Sequence, residues 1–161
     1  MKNELWKKNI RLLALDVDGV LTDGSLYYGQ NGELMKKFNV HDGAGIKAVC
    51  DAGIEVAIIS SRETKIVTNR MNELGVKNIL QGIEDKLSAL NSLAKKMDID
   101  LNAVAYVGDD IADLKVLEKV GLAITVKNGQ NEAKQKAHYC TTANGGEGAV
   151  REICELLLMH R

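Results

Sequence analysis

Short apolar runs alternate with amphipathic stretches along almost the whole chain. Ile10 to Leu15 is the first run, the pattern of a buried strand. Further runs of this kind are Glu55 to Ile59, the short Lys77 to Leu80, Ala103 to Val107 and Leu122 to Val126, with His138 to Cys140 as a possible last one. Between them, apolar residues recur at helical spacing. A helix is predicted from Asp42, as its N-cap, to Ala52, with Ile46, Val49 and Cys50 on one face. Others are predicted over about Glu63 to Leu74 and Glu84 to Met97, around Ile111, Leu114 and Leu117, and over Ala149 to Met159. Gly53, Gly75 and Gly121 stand where three of these helices must stop. Strand and helix in alternation read as an α/β parallel sheet, Rossmann-like, with helices on both faces.

One stretch breaks the alternation. Ser25 to Phe38 carries Asn31-Gly32 between two short runs, the signal of a β-hairpin with a type I′ turn. A two-stranded hairpin is marginal alone. It must pack on the body of this chain or on another subunit.

Composition narrows the class. The chain has 161 residues, 45% hydrophobic and 27% charged, which suits one soluble domain spanning residues 1–161. A formal net charge of -1 provides no global field toward nucleic acid or an anionic membrane. No apolar run is long enough to span a bilayer, and Met1 to Arg11 lack the apolar region of a signal peptide. Cys50, Cys140 and Cys154 form no CxxC pair and read as reduced, mostly buried thiols. These features together predict a cytoplasmic protein.

The polar residues that directly follow the apolar strands share an address. Asp16 and Asp18 end the first, Ser60 the second, and Asp109-Asp110 follow Val107. In a parallel sheet all lie at the carboxyl edge, where open α/β sheets bind ligands. A structural cap or turn could explain any one cluster, and Asp-x-Asp-Gly also occurs in surface turns and calcium loops. Three at one edge point to chemistry. Crowded carboxylates repel, and a divalent cation relieves that repulsion; hard oxygen donors suit Mg2+. An aspartate held ionised can act as a nucleophile and form an aspartyl-phosphate. Donors around the phosphoryl oxygens are then required, and Ser60 and Lys86 can supply them. Taken alone, Lys86 reads as a solvated lysine on a first helical turn.

At these positions the chain resembles the haloacid dehalogenase superfamily of phosphohydrolases. Asp16-Val-Asp18-Gly-Val-Leu-Thr-Asp, Ser60, Lys86 and Gly108-Asp109-Asp110-x-x-Asp113 match its four motifs. The hairpin, Phe38-Asn-Val-His-Asp-Gly43, Gln81-Gly-x-x-Asp-Lys-Leu87 and Gly145-Gly-Glu-Gly-Ala-Val-Arg-Glu152 are similar to the 3-deoxy-D-manno-octulosonate 8-phosphate phosphatase family. The resemblance covers about Arg11 to Leu158.

The resemblance implies a fold with a hairpin insertion and no cap domain. It implies Asp16 as nucleophile and Asp18 as general acid and base. Asp16, the backbone carbonyl of Asp18, and Asp109 would hold Mg2+. Asp110 and Asp113 would steady the metal's waters and the loop, and Ser60 and Lys86 would grip the phosphoryl group. It further implies a homotetramer in which hairpins lie between subunits and a neighbour closes each active site, and a role in lipopolysaccharide synthesis. Arg62 would pair with the carboxylate of a small sugar acid phosphate. Asp42 and His41 are further substrate-binding candidates, although His41 is equally a partly exposed loop residue.

Three departures matter. Ser61 stands where the family has glycine, His41 where it commonly has arginine, and Glu147 where it usually has arginine or lysine. Gly-Gly-Glu-Gly also resembles phosphatases of nonulosonate 9-phosphates, so a nine-carbon substrate is the alternative. The glycines after Thr142 predict a mobile segment. Readings from other classes are a phospho-accepting receiver domain, a pseudo-enzyme, and a detached phosphatase-like domain of a sugar-activating nucleotidyltransferase.

Overall fold

The computed structural model describes residues 9–160. Six parallel strands form one sheet in the order β5-β4-β1-β6-β7-β8. These are β1 (Leu12–Leu15), β4 (Glu55–Ile59), β5 (Asn78–Leu80), β6 (Val104–Val107), β7 (Leu122–Thr125) and β8 (Tyr139–Cys140). β2 (Tyr27–Gly29) and β3 (Gly32–Met35) form the separate antiparallel hairpin. The helices are α1 (Val40–Asp51), α2 (Lys65–Glu73), α3 (Lys86–Lys96), α4 (Leu114–Leu117), α5 (Asn131–Lys136) and α6 (Ala149–Met159).

β1 is apolar throughout because both of its faces are covered. Leu13 and Leu15 pack with Ile46 and Val49 of α1, Met71 of α2 and Ile153 of α6. Leu12 and Ala14 face the other way, toward Leu90 of α3, Leu117 of α4 and Ala133 of α5. The two-residue alternation of a strand thus feeds two separate cores. β4 pairs with one side of β1 and β6 with the other. The chain reverses direction of winding there, so a crevice opens beyond the carboxyl end of β1.

Several boundaries differ from the sequence expectation. β1 begins at Leu12, although Arg11 already bonds to both neighbours through its amide and carbonyl. The helix expected around Ile111 to Leu117 is a 3-10 turn, Ile111–Asp113, followed by the short α4, and Ile111 is exposed. The hairpin is present, but its register pairs Gly29 with Gly32. Gln30 and Asn31 therefore form the turn, and neither has positive φ; Gly32, at φ +109°, opens the returning strand. That is not a type I′ turn.

The N-cap of α1 is Asn39, whose side chain accepts the His41 amide at 2.8 Å. Asp42, expected in that place, lies within the first turn and serves another helix. Its Oδ1 accepts the Arg151 amide at 2.9 Å and its Oδ2 the Gly148 amide at 3.4 Å. The N-cap of α6 is Gly148, at φ +100° and without a side chain to do this itself. Gly45 allows the approach of the two helices: a Cβ there would lie 3.1 Å from that of Cys154. The three thiols are free, with Cys154 buried, Cys50 half-buried and Cys140 exposed.

Candidate active site

The loop after β1 is built around glycine and threonine. Buried Thr22 accepts the amides of Gly19 and Gly24 on its Oγ1, each at 3.2 Å. Gly19 turns at φ +86°, and a Cβ there would overlap the Asp109 carboxylate. The tight turn delivers Asp16 and Asp18 beside Asp109, which follows β6. Ser60 and Arg62, after β4, and Lys86, opening α3, complete a cleft of about 170 Å3 that Asp110 also lines.

Asp16, Lys86 and Asp113 form a buried chain. The Lys86 Nζ lies 2.6 Å from Asp16 Oδ2 and 2.8 Å from Asp113 Oδ1. Burial works against the ammonium, but Asp16 and Asp113 outweigh it and hold Lys86 above its ordinary value. The solvated-lysine reading is thereby excluded: Lys86 is 3% exposed.

Asp113 has no oxygen to spare. Oδ1 also accepts the Tyr106 hydroxyl at 2.5 Å, and Oδ2 accepts the amides of Asp109 at 3.0 Å and Asp110 at 3.2 Å. It holds the loop and the lysine. Asp110 accepts the Ile111 amide and caps the 3-10 turn.

Burial, then the neighbouring Asp113, pushes the Asp16 carboxyl up to about 7. Burial and the Asp16 charge push Asp109 up to about 7 as well. Carboxylate oxygens of Asp16, Asp109 and Asp113 all lie within 4.8 Å of one another. Two acids that resist ionisation together, at a glycine that leaves room for one of them, fit a hard divalent cation such as Mg2+.

Asp18 is held from the hairpin. Lys36 Nζ lies 2.5 Å from Asp18 Oδ1 and 2.8 Å from Glu33 Oε1. Arg62 approaches the same pair, with Nε 3.8 Å from Asp18 Oδ2 and Nη2 3.7 Å from Glu33 Oε2, and it donates to the Tyr28 hydroxyl at 3.1 Å. The hairpin thus contacts the body of its own chain through Asp18 and Arg62, two residues that line the cleft.

Lys36, Glu33, Tyr28 and Tyr106 are the site's neighbours that sequence reasoning missed. Glu33, near the start of the returning strand, and Lys36, just past its end, stand three apart, and a tyrosine interrupts the aliphatic run of β6. Those were the available signals. Two candidates are placed elsewhere. Asp42 is 1% exposed, both of its oxygens serve α6, and it does not line the cleft. His41 is exposed on the first turn of α1 and does not line the cleft.

The glycine-rich segment is pinned to its own chain. Gly146 donates its amide to the Val20 carbonyl at 3.0 Å, and a Cβ on Gly145 would overlap the Gly19 carbonyl oxygen. Glu152 accepts from the Thr142 amide, the Ala143 amide and the Tyr139 hydroxyl. Glu147 is exposed and accepts from Asn144.

A haloacid dehalogenase-like hydrolase family matches residues 78–153. The 3-deoxy-D-manno-octulosonate 8-phosphate phosphatase KdsC of Escherichia coli K12 is 50% identical over 152 residues, covering 94% of this chain and 81% of the relative. The crystal structure of that phosphatase from Moraxella catarrhalis, in complex with magnesium ion, phosphate ion and KDO, superposes with a TM-score of 0.97 at 45% identity, covering 100% of this chain and 94% of the other. The cobalt-bound phosphatase from Haemophilus influenzae gives a TM-score of 0.93 at 37% identity over 96% of this chain and 91% of the other. The parallel sheet, the hairpin and this identity along nearly the whole length agree: the chain belongs to the 3-deoxy-D-manno-octulosonate 8-phosphate phosphatase family of haloacid dehalogenase-like hydrolases.

Proposed function

We propose that the chain hydrolyses 3-deoxy-D-manno-octulosonate 8-phosphate to the free sugar acid and inorganic phosphate through an aspartyl-phosphate on Asp16, with Mg2+ as cofactor. The observation that carries this reading is the pair Asp16–Lys86 at 2.6 Å, set in one cleft with Asp18, Ser60 and Asp109.

An Asp16 carboxylate oxygen attacks phosphorus as the bond from phosphorus to the sugar oxygen breaks. Asp18 gives that leaving oxygen a proton. Asp18 then takes a proton from water, whose oxygen attacks phosphorus and releases Asp16 and inorganic phosphate. Lys86 and the Ser60 hydroxyl hold the phosphoryl oxygens in both steps. Asp16, the Asp18 backbone carbonyl and Asp109 would hold Mg2+, which when bound would offset the negative charge gathered between Asp16 and the phosphoryl group. Arg62 faces the sugar acid carboxylate, and its Nε is buried without a hydrogen-bond partner.

The enzyme works in the cytoplasm as one domain, in the pathway that makes lipopolysaccharide, and as a homotetramer. Leu26, Tyr28, Leu34, Met35 and Val40 stand exposed on and beside the hairpin, a surface that suits another copy of the chain. No helix among the described residues is long and apolar enough to cross a membrane.

Phosphate release is measured on a panel of sugar phosphates, with Mg2+ and with chelator, beside Asp16→Asn. Metal-dependent turnover of the octulosonate 8-phosphate, lost in the variant, is expected. Preference for a nonulosonate 9-phosphate would overturn the substrate assignment and keep the mechanism. A persistent phosphorylated Asp16 without turnover would restore the receiver reading. Sedimentation velocity tests the tetramer, and a monomer at micromolar concentration would refute it.

A further inference from the structure

The described mechanism asks one side chain, Asp18, to do two jobs at one point in space. It must meet the leaving oxygen in the first step and a water in the second. Asp16 is fixed for its own task by Lys86 on Oδ2 and by the Val17 amide on Oδ1 at 2.7 Å. Asp18 lies in the loop beyond the strand, and its side chain is about a quarter exposed, at 23%. A free aspartate in such a loop samples several rotamers.

We propose that Lys36 is a positioning residue for Asp18, set in place by Glu33, and that the hairpin thereby orients the proton donor of its own subunit. This rests on the phosphatase reading given above. Lys36 is a buried lysine, with its side chain 1% exposed. A lysine is buried to that extent only when paired. Its partners are Asp18 Oδ1 at 2.5 Å and Glu33 Oε1 at 2.8 Å. Lys36 therefore occupies one specific oxygen of Asp18. The other, Oδ2, lies toward Arg62, which lines the cleft. Fixing Oδ1 leaves Oδ2 to exchange the proton with the leaving group.

Glu33 gives the ammonium a second anchor, so that Lys36 sits between two carboxylates. Arg62 closes the set at 3.7 and 3.8 Å. The loop after β1, the hairpin and the loop after β4 are joined by four charges of alternating sign. Lys86 and Lys36 then have parallel roles, each holding one of the two aspartates.

The test separates orientation of a proton donor from general support. Lys36→Met, Lys36→Arg and Glu33→Gln are compared with wild type in single turnovers with enzyme and Mg2+ in excess, which read ester cleavage alone. One substrate is the alkyl sugar phosphate of the panel that wild type cleaves fastest, whose leaving oxygen needs a proton. The other is 4-nitrophenyl phosphate, whose leaving group departs without one. General-acid catalysis contributes about 10²–10⁴-fold, so Lys36→Met is expected to slow the alkyl ester by about 10-fold or more and 4-nitrophenyl phosphate by less than about threefold. Glu33→Gln is expected to show the same contrast at smaller size, and Lys36→Arg to recover part of the loss.

Equal slowing of both esters in Lys36→Met and Glu33→Gln, or no slowing in either, would overturn the proposal. If Lys36→Met fails to fold by circular dichroism, the contrast in Glu33→Gln decides. Failure of wild type to cleave the octulosonate ester would sink the substrate assignment instead, and the contrast on another alkyl phosphate would still test Lys36.

Discussion

The Tyr106 hydroxyl donates to Asp113 Oδ1, the same oxygen that receives the Lys86 ammonium. Tyr106 sits in the middle of β6 with no exposed surface, and burial, with Asp113 beside it, pushes its hydroxyl well above its ordinary value. It stays a donor at every working pH. Tyr106→Phe removes that donor from a buried carboxylate and alters little else in shape. A loss of about 1–3 kcal/mol is expected. For a domain of this size that is about 2–4 °C in melting temperature per kcal/mol. With one donor gone, Asp113 draws the lysine away from Asp16, and kcat is expected to fall several-fold while the substrate KM changes little. Thermal melting and steady-state kinetics on the same preparation check both parts.

The two acids raised to about 7 set a pH dependence. An unfolded aspartate has a pKa of about 3.9, whereas burial and neighbouring carboxylates push Asp16 and Asp109 up to about 7 in the fold. Between those values the native chain binds more protons than the unfolded chain. Their contribution to stability is therefore full below about pH 4 and is lost as pH rises through about 7. Mg2+ held by the ionised pair, as proposed above, would oppose the loss. The rise in melting temperature on adding Mg2+ is expected to be larger at pH 8 than at pH 5.5. Scanning fluorimetry with and without chelator reads this, and an equal shift at both pH values would refute it.

Gly19 is required for its missing side chain. At φ +86° it occupies backbone space that costs an L residue about 1–2 kcal/mol. A Cβ there would also overlap the Asp109 carboxylate. Gly19→Ala is expected to fold, with Asp109 displaced from the pair it forms with Asp16. Mg2+ affinity measured by calorimetry should fall by about 10-fold, the equivalent of about 1.4 kcal/mol, with the far-ultraviolet dichroism unchanged. Unaltered affinity would show that Asp109 has room to spare.

Much of this arrangement is legible in the chain itself. The parallel sheet follows from apolar runs alternating with helical periodicity. The shared location of Asp16, Ser60 and Asp109 follows because each ends a strand of one parallel sheet. What is not legible depends on tertiary approach. Lys36 reads as one more charge at the end of a hairpin, because no local periodicity says what that hairpin packs against. Tyr106 reads as one more apolar residue of a buried run, although its hydroxyl is what ties Asp113 in place. Asn39 and Asp42 are both good capping residues by type, and only the packed structure shows that one caps its own helix while the other reaches across to α6. The glycines after Thr142 suggest mobility by composition, yet Gly145 and Gly146 pack where a side chain would collide with the loop after β1.

The Asp42 contact makes a final prediction possible. Gly148 begins α6 with a left-handed backbone and no side-chain acceptor, so the first amides of that helix depend on a residue more than a hundred positions away. α6 packs its apolar face on α1 and the sheet through Val150, Ile153 and Leu157. Asp42→Ala removes the cap, and loss of an N-cap costs about 0.5–2 kcal/mol. Asp42→Asn keeps an acceptor oxygen and is expected to retain most of the stability. Because Asp42 does not line the cleft, both variants should keep wild-type KM for the sugar phosphate at a temperature well below melting. Denaturant unfolding orders the stabilities, and kinetics on the same samples decides between a cap and a substrate contact. A KM raised several-fold in Asp42→Asn, with its stability intact, would return Asp42 to the substrate site.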